Sequence, residues 1–143
     1  MSTYPAPFAA RLPFIRWAVL AISLALLAWS VAGLIANPDF ATGEQATAEQ
    51  VLFIDFNGWH ALSGIALAAP GLLAWRRASW SLLFAVAAAA ALAATGVWAL
   101  LDTSPAGVVA FPNNEADALL HFAFAVLYGA AAALHLRARR SQA

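Results

Sequence analysis

With 143 residues the chain has room for a single domain, and 64 % of its residues are hydrophobic against 10 % that are charged. Soluble proteins average roughly a quarter charged residues, so this composition excludes a water-soluble globule. Seven basic and seven acidic side chains balance each other, which gives no clustered basic surface for nucleic acid. The chain has no cysteine, which rules out disulfides, thiolate metal sites and cysteine nucleophiles.

Four apolar segments are long enough to cross a bilayer, whose hydrocarbon core of about 30 Å needs about 20 helical residues. They cover residues 17–36, 56–75, 78–101 and 118–136, and none contains Asp, Glu, Lys or Arg. The sequence therefore predicts an all-α fold, a bundle of four transmembrane helices in one domain spanning residues 1–143. A cleaved signal peptide is disfavoured, because the first apolar run exceeds the usual ~7–15 residues and no clear A-x-A site follows.

The charged residues sort by sign across the predicted membrane. Cytoplasmic loops collect Lys and Arg, and a chain that starts inside has every arginine on that side: Arg11, Arg16, Arg76, Arg77, Arg137, Arg139 and Arg140. The acidic residues then fall at or beyond the outer face: Asp39, Glu44, Glu49, Asp55, Asp102, Glu115 and Asp117. All seven basic residues are arginine and alanine is abundant, which is typical of a GC-rich bacterial genome. Together these features predict a multi-pass protein of the bacterial inner membrane with both termini cytoplasmic.

The connections and the third segment carry further predictions. Only a few residues separate the second and third segments, which predicts a tight antiparallel pair of helices. In the long acidic loop 37–55, residues 46–54 are predicted to form a short helix on the membrane surface. The loop 102–113 is predicted to be irregular, because it holds two prolines and a glycine. The alanine-rich run 85–96 allows close backbone approach, which predicts a third helix at the bundle centre or against a second copy.

The starts of the second and fourth segments share the pattern N-x-x-[H/D]-A-L, beginning at Asn57 and at Asn114. Each copy stands where a helix enters from the outer side. This pattern predicts an internal repeat of two helical hairpins in the same orientation, related by a pseudo-twofold axis along the membrane normal.

The same residues resemble a family of four-helix membrane proteins, frequent in actinobacteria, that is known as domain of unknown function 4383. Its pattern is N-x-x-H-N-x-x-H before the second span and N-x-x-D-N-x-x-H before the fourth. By position, the resemblance implies the equivalents Asn57, His60, Asn114, Asp117 and His121. The family has no established activity, so the resemblance implies a fold rather than a function.

This sequence departs from the family pattern at three positions. Gly64 stands where the family has its second histidine, and Ala61 and Ala118 replace the inner asparagines. These departures weaken the case for a site with four protein ligands.

A candidate metal site consists of His60, Asp117 and His121. Asp117 and His121 are four residues apart and share one helix face, and the repeat brings His60 opposite them near the outer surface. Imidazole and carboxylate groups bind zinc, iron or manganese, and three protein ligands leave an open position. Glu115 is a candidate fourth ligand. The repeat sets His121 about one turn deeper than His60, which disfavours a haem held by both.

The competing interpretation of these residues is structural. Asn57 and Asn114 are good N-caps for the second and fourth helices. Asp117 then acts as the capping-box partner of Asn114, and the two histidines form hydrogen bonds between helices. The sequence favours this interpretation, in which no cofactor is bound, over a zinc or transition-metal ion.

Three functions follow from these observations. The sequence favours a small non-catalytic membrane protein that acts by helix packing, as an accessory subunit or a self-associating scaffold. Its partners would be the lipid bilayer and either a second copy or another membrane protein. A metal-binding or redox protein using His60, Asp117 and His121 is the alternative. An oligomeric transporter or channel is the least supported, since no charge lies at mid-membrane depth. No catalytic motif is recognisable, so an enzyme is not favoured.

Overall fold

The computed structural model describes residues 13–101 and 111–141, except for the side chain of Glu44. These residues contain four α-helices: α1 (Phe14–Ala36), α2 (Gly58–Ala74), α3 (Ala78–Leu101) and α4 (Glu115–Arg140). A hairpin of two short strands, β1 (Glu49–Val51) and β2 (Ile54–Phe56), lies between α1 and α2, after a single 3₁₀ turn (Gly43–Gln45). The predicted all-α fold of four helices is confirmed. Most of the predicted irregular loop 102–113 lies outside the described residues.

Three helices, α1, α3 and α4, have 23, 24 and 26 residues and are long and apolar enough to cross a membrane. The chain is thus a membrane protein. Helix α2 has 17 residues, which gives about 26 Å of helix. It runs antiparallel to α1: the Nε of Arg16 donates to the carbonyl of Trp75 at 2.7 Å, and the N–H of Gly58 donates to the carbonyl of Asp39 at 2.7 Å. Helix α2 therefore traverses most of the depth that α1 occupies.

The helices pack as two antiparallel pairs, α1 with α2 and α3 with α4. Helix α1 also touches α4, where the hydroxyls of Ser23 and Tyr128 lie 2.8 Å apart in the fully buried core. Helices α2 and α3 follow each other closely in the chain, yet their contacts are sparse. The predicted tight pairing of these two helices is therefore wrong, because the core side chains of α3 pack on α4 instead.

Helix α3 buries one narrow stripe of small and apolar residues, spaced three or four apart: Ser81, Ala85, Ala88, Leu92 and Gly96. A Cβ placed on Gly96 would meet the ring of Phe122, so this glycine permits a close approach to α4. The other faces of α3 are exposed, including Leu83 and Val86. Its predicted position at the bundle centre is therefore wrong, and α3 lies at the periphery. Packing against a second copy stays a prediction.

The loop between α1 and α2 forms a β-hairpin instead of the predicted surface helix at residues 46–54. The strands pair antiparallel, with Val51 opposite Ile54. Ile54 and Phe56 are buried on one face of β2, where they pack in a cluster with Ala61. Residues of this type suit an extended backbone whose alternate side chains face a core. The helical prediction was wrong because the buried cluster beneath the loop packs against alternate side chains of an extended strand. A helix would not place these alternate side chains on one face.

The carboxylate of Asp39 organises the loop that leads from α1 to the hairpin. It accepts hydrogen bonds from the N–H of Ala41 at 2.8 Å, and from the N–H and hydroxyl of Thr47 at 2.8 and 2.7 Å. The bond from Ala41, followed by those from Thr47, lowers the pKa of the Asp39 carboxyl. The amide of Asn37 donates to the carbonyl of Phe56 at 3.1 Å. These bonds fix the hairpin over the N-terminal end of α2.

Candidate metal centre

The two copies of the repeated pattern adopt the same local structure. The Oδ1 of Asn57 accepts from the N–H of His60, and the Oδ1 of Asn114 accepts from the N–H of Asp117, both at 2.9 Å. The backbone angles of the two asparagines agree closely, at φ −137° and ψ 178° against φ −137° and ψ 175°. Each asparagine is an N-cap that satisfies a free N–H of the first turn. His60 and Asp117 thus occupy equivalent positions, while the pseudo-twofold relation of whole hairpins stays a prediction.

The fold brings His60, Asp117 and His121 into one cluster. The Nε2 of His60 and the Nδ1 of His121 each lie 3.4 Å from the Oδ1 of Asp117. One ligand atom from each residue lies within 4.8 Å of the others. The histidine rings are nearly parallel, at 13°, with centroids 6.0 Å apart. Asp117 is 1 % exposed and His60 8 %, while His121 is partly exposed, so the carboxylate at the centre of the cluster is shielded from water.

Backbone carbonyls fix the protonation of both imidazole rings. The Nδ1 of His60 is 3.0 Å from the carbonyl oxygen of Asp55, and the Nδ1 of His121 is 2.9 Å from the carbonyl oxygen of Asp117. A carbonyl can only accept, so each Nδ1 carries a hydrogen. In a neutral ring the Nε2 atom then has a free lone pair. With both groups deprotonated at this contact, the Nε2 of His60 faces the Asp117 carboxylate at 3.4 Å as one acceptor facing another.

The second oxygen of the Asp117 carboxylate is a further acceptor without a donor in the part of the chain that the structure describes. Its Oδ2 is buried and has no hydrogen-bond partner among the described residues. Leaving a buried polar group unpaired typically costs about 1–3 kcal/mol, and more when it is charged. Two helix N-termini meet here, and their dipoles favour an ionised carboxylate. Either a metal ion or a proton held between the His60 Nε2 and the carboxylate removes the repulsion between the acceptors.

The other roles predicted from the sequence, a fourth ligand and a capping box, do not match the observed contacts. Glu115 is exposed and lies outside the cluster, so the expected fourth oxygen ligand is not there. The Asp117 carboxylate contacts the histidines through Oδ1 and has no bond through Oδ2. It therefore does not complete a capping box with Asn114. A Cβ placed on Gly64 would overlap the hydroxyl of Ser30, so α1 occupies the space that a family histidine would need here.

A cavity of about 290 Å³ adjoins the cluster. Residues from all four helices line it, among them Trp29, Leu67, Leu92, Trp98 and Phe124. Sequence reasoning missed this cavity, because its walls come from segments with no shared motif. It also missed the role of Asp55, whose carbonyl oxygen has no side-chain signal that could reveal it.

The model of a family described as domain of unknown function (DUF4383) matches residues 16–134 of the chain. The chain belongs to this family, which confirms the resemblance drawn from the asparagine, histidine and aspartate pattern. Comparison with curated proteins and with solved structures gives no significant match. The family carries no assigned activity, so the geometry of the site has to support any functional conclusion.

Proposed function

We propose that the protein binds a divalent transition-metal ion, of the zinc class, through His60, Asp117 and His121 at the outer end of the bundle. The observation that carries the proposal is the 3.4 Å separation between the free acceptor atoms of His60 and Asp117. Two ligands about 2.1 Å from a tetrahedral ion lie about 3.4 Å apart. The acceptor pair thus has the spacing of two ligands that share one zinc ion.

The surroundings of the cluster support the same proposal. Metal-binding histidines usually donate their second N–H to a carbonyl or carboxylate, which orients the ring. Both imidazoles have this bond, to the carbonyls of Asp55 and Asp117. The N-caps Asn57 and Asn114 hold the first turns of α2 and α4 in place. The ligands therefore start from fixed positions, which reduces the entropy lost on binding.

We place this site at the outer face of a bacterial inner membrane, with both termini in the cytoplasm. In support, the last turn of α4 carries three arginines and Arg16 lies beside Trp75 at the same end as the α2–α3 turn. Asp39, Asp55 and Glu115 lie at the opposite end of the helices, with the site. This sorting fits the tendency of arginine to stay cytoplasmic.

The accessory or scaffold role favoured by the sequence, and the channel role, stay hypotheses. The described residues offer no geometric feature of comparable specificity for either. If the cluster only connects helices, one proton between the Nε2 of His60 and the Oδ1 of Asp117 joins the two as a hydrogen bond. That alternative needs no metal, so metal content separates it from the proposal.

Elemental analysis of protein purified in detergent, after loading with Zn²⁺ and gel filtration, tests the proposal. We expect about one zinc per chain, with at least tenfold weaker binding in His60→Ala, Asp117→Ala and His121→Ala. His135→Ala is the matched control, because it removes the third histidine of the chain, located at the opposite end of α4. Cobalt in place of zinc should give the visible absorption of a low-symmetry four-coordinate site.

Two outcomes would overturn the metal proposal. One is wild-type protein that retains no zinc after gel filtration. The other is a set of cluster variants that retain as much zinc as His135→Ala. Circular dichroism and gel filtration of each variant verify that it is folded, so a loss of metal can be assigned to the missing ligand.

A further inference from the structure

The cavity beside the cluster has chemically different ends. At one end lie His60, Asp117 and His121, and the remaining walls are mostly apolar and aromatic. Trp29 belongs to these walls, and its indole N–H is buried without a hydrogen-bond partner among the described residues. A ligand that fits this cavity is therefore mostly apolar, with an oxygen-bearing polar end.

The aromatic walls favour a flat ring over a flexible chain. Side chains of Trp29, Trp98, Phe111 and Phe124 line the cavity, and aromatic pairs gain about 0.5–1.5 kcal/mol beyond the burial of area. The cavity volume of about 290 Å³ is just below the roughly 300–1,000 Å³ found for small-molecule sites. It has room for one substituted ring and no room for a long tail as well.

The mouth of the cavity lies between α2 and α3, the neighbouring helices with sparse contacts. The lining residues that are exposed come from these two helices: Ser63 on α2, and Ala91, Thr95 and Trp98 on α3. This stretch of α3 belongs to an apolar helix that is long enough to cross a membrane. Helix α2 is shorter but also apolar, so a gap between α2 and α3 opens sideways into lipid and a ligand would enter from the bilayer.

We infer that this cavity binds a lipid-dissolved amphiphile with a planar, oxygen-bearing ring, of the quinone or phenol class. The ring lies between the aromatic walls, and its tail leaves through the gap between α2 and α3. One ring oxygen takes the coordination position that three protein ligands leave open on a zinc ion. This inference rests on the proposed metal site, since the ion supplies the partner for that oxygen.

The test measures binding of a decyl-substituted benzoquinone to zinc-loaded protein in detergent, followed by quenching of tryptophan fluorescence. The critical variant is Ala91→Phe, which places a ring in the mouth of the cavity. Its matched control is Ala90→Phe, since Ala90 is also exposed on α3 but does not line the cavity. We expect the quinone Kd to rise at least tenfold in Ala91→Phe and to stay within twofold of wild type in Ala90→Phe.

Zinc content, measured on the same samples, separates failure of this inference from failure of the metal proposal. We expect both phenylalanine variants to keep their zinc, because neither changes a ligand. Zinc-loaded wild-type protein that binds no quinone, or equal affinities in Ala91→Phe and Ala90→Phe, would overturn the inference alone. Wild-type protein without zinc would overturn the metal proposal and with it the placement of the ring oxygen.

Two comparisons test the ligand class and its position. Lauric acid has an oxygen-bearing end but no ring, and we expect it to bind at least tenfold more weakly than the quinone. Equal binding of lauric acid would contradict the assignment to a planar ring. His60→Ala should weaken quinone binding along with zinc binding, and unchanged quinone affinity in that variant would show that the oxygen does not bind at the cluster.

Discussion

Replacement of Gly64 by alanine should destabilise the contact between α1 and α2. The added Cβ would overlap the hydroxyl of Ser30, and it would lie 3.1 Å from the Cβ of Ser30. If the Ser30 hydroxyl rotates away, it loses its hydrogen bond of 2.9 Å to the carbonyl of Leu26. If it stays, the helices must separate. Overpacking of a core typically costs about 1–3 kcal/mol, and glycine-to-alanine replacement inside a helix returns up to about 1 kcal/mol. We therefore expect a net loss of about 1 kcal/mol.

A second substitution and a control isolate the steric contribution to this loss of stability. Ser30→Ala removes the overlapping hydroxyl, so Gly64→Ala should cost less in that background, where only the 3.1 Å approach of the two Cβ atoms remains. Gly129→Ala has the same gain in helix propensity, but its Cβ would meet only the Cβ of Ala89, at 3.9 Å. It should be neutral or stabilising. The free energy of unfolding, measured by titration of mixed micelles with a denaturing detergent, gives all four values. Gly64→Ala that behaves like Gly129→Ala, without coupling to Ser30→Ala, would refute the reasoning.

Three further predictions concern topology, packing and pH. In a chain without native cysteine, cysteine at Ala48 should react with a membrane-impermeant thiol reagent in intact cells. Cysteine at Ser79 should react only after permeabilisation, and its labelling in sealed cells would contradict the orientation. Ala88→Leu should lower the unfolding free energy by about 1–3 kcal/mol, because Ala88 is 2 % exposed. Ala91→Leu should be tolerated at its exposed position, and equal losses would contradict the packing of α3. Because the pKa of the Asp39 carboxyl is lowered, its hydrogen bonds should persist above the ordinary value of 3.8. They should be lost as pH falls through the lower folded value. The NMR shifts of the backbone amides of Ala41 and Thr47, which donate to this carboxylate, would report the midpoint of its titration. A midpoint at or above pH 3.8 would contradict these hydrogen bonds.

The sequence by itself determined the features that depend on composition and on neighbouring residues. Apolar runs of about 20 residues can satisfy their backbone in lipid only as helices, so the four helices follow directly from their lengths. The N-caps at Asn57 and Asn114 are equally local, because each side chain bonds an N–H three residues ahead. Even the cluster of His60, Asp117 and His121 could be proposed from the repeated pattern alone.

Only the tertiary structure decided which helix faces meet and what space they leave. The hairpin at residues 49–56 forms because Ile54 and Phe56 find a buried cluster beneath the loop, and residues 46–54 alone gave no sign of it. Helix α3 lies at the periphery because its small residues match α4 better than they match α2. The gap that results between α2 and α3 creates the cavity, and the fold of β2 brings the carbonyl of Asp55 to His60. These outcomes depend on shape complementarity between distant segments, which is a property of the packed chain and not of any one stretch of residues.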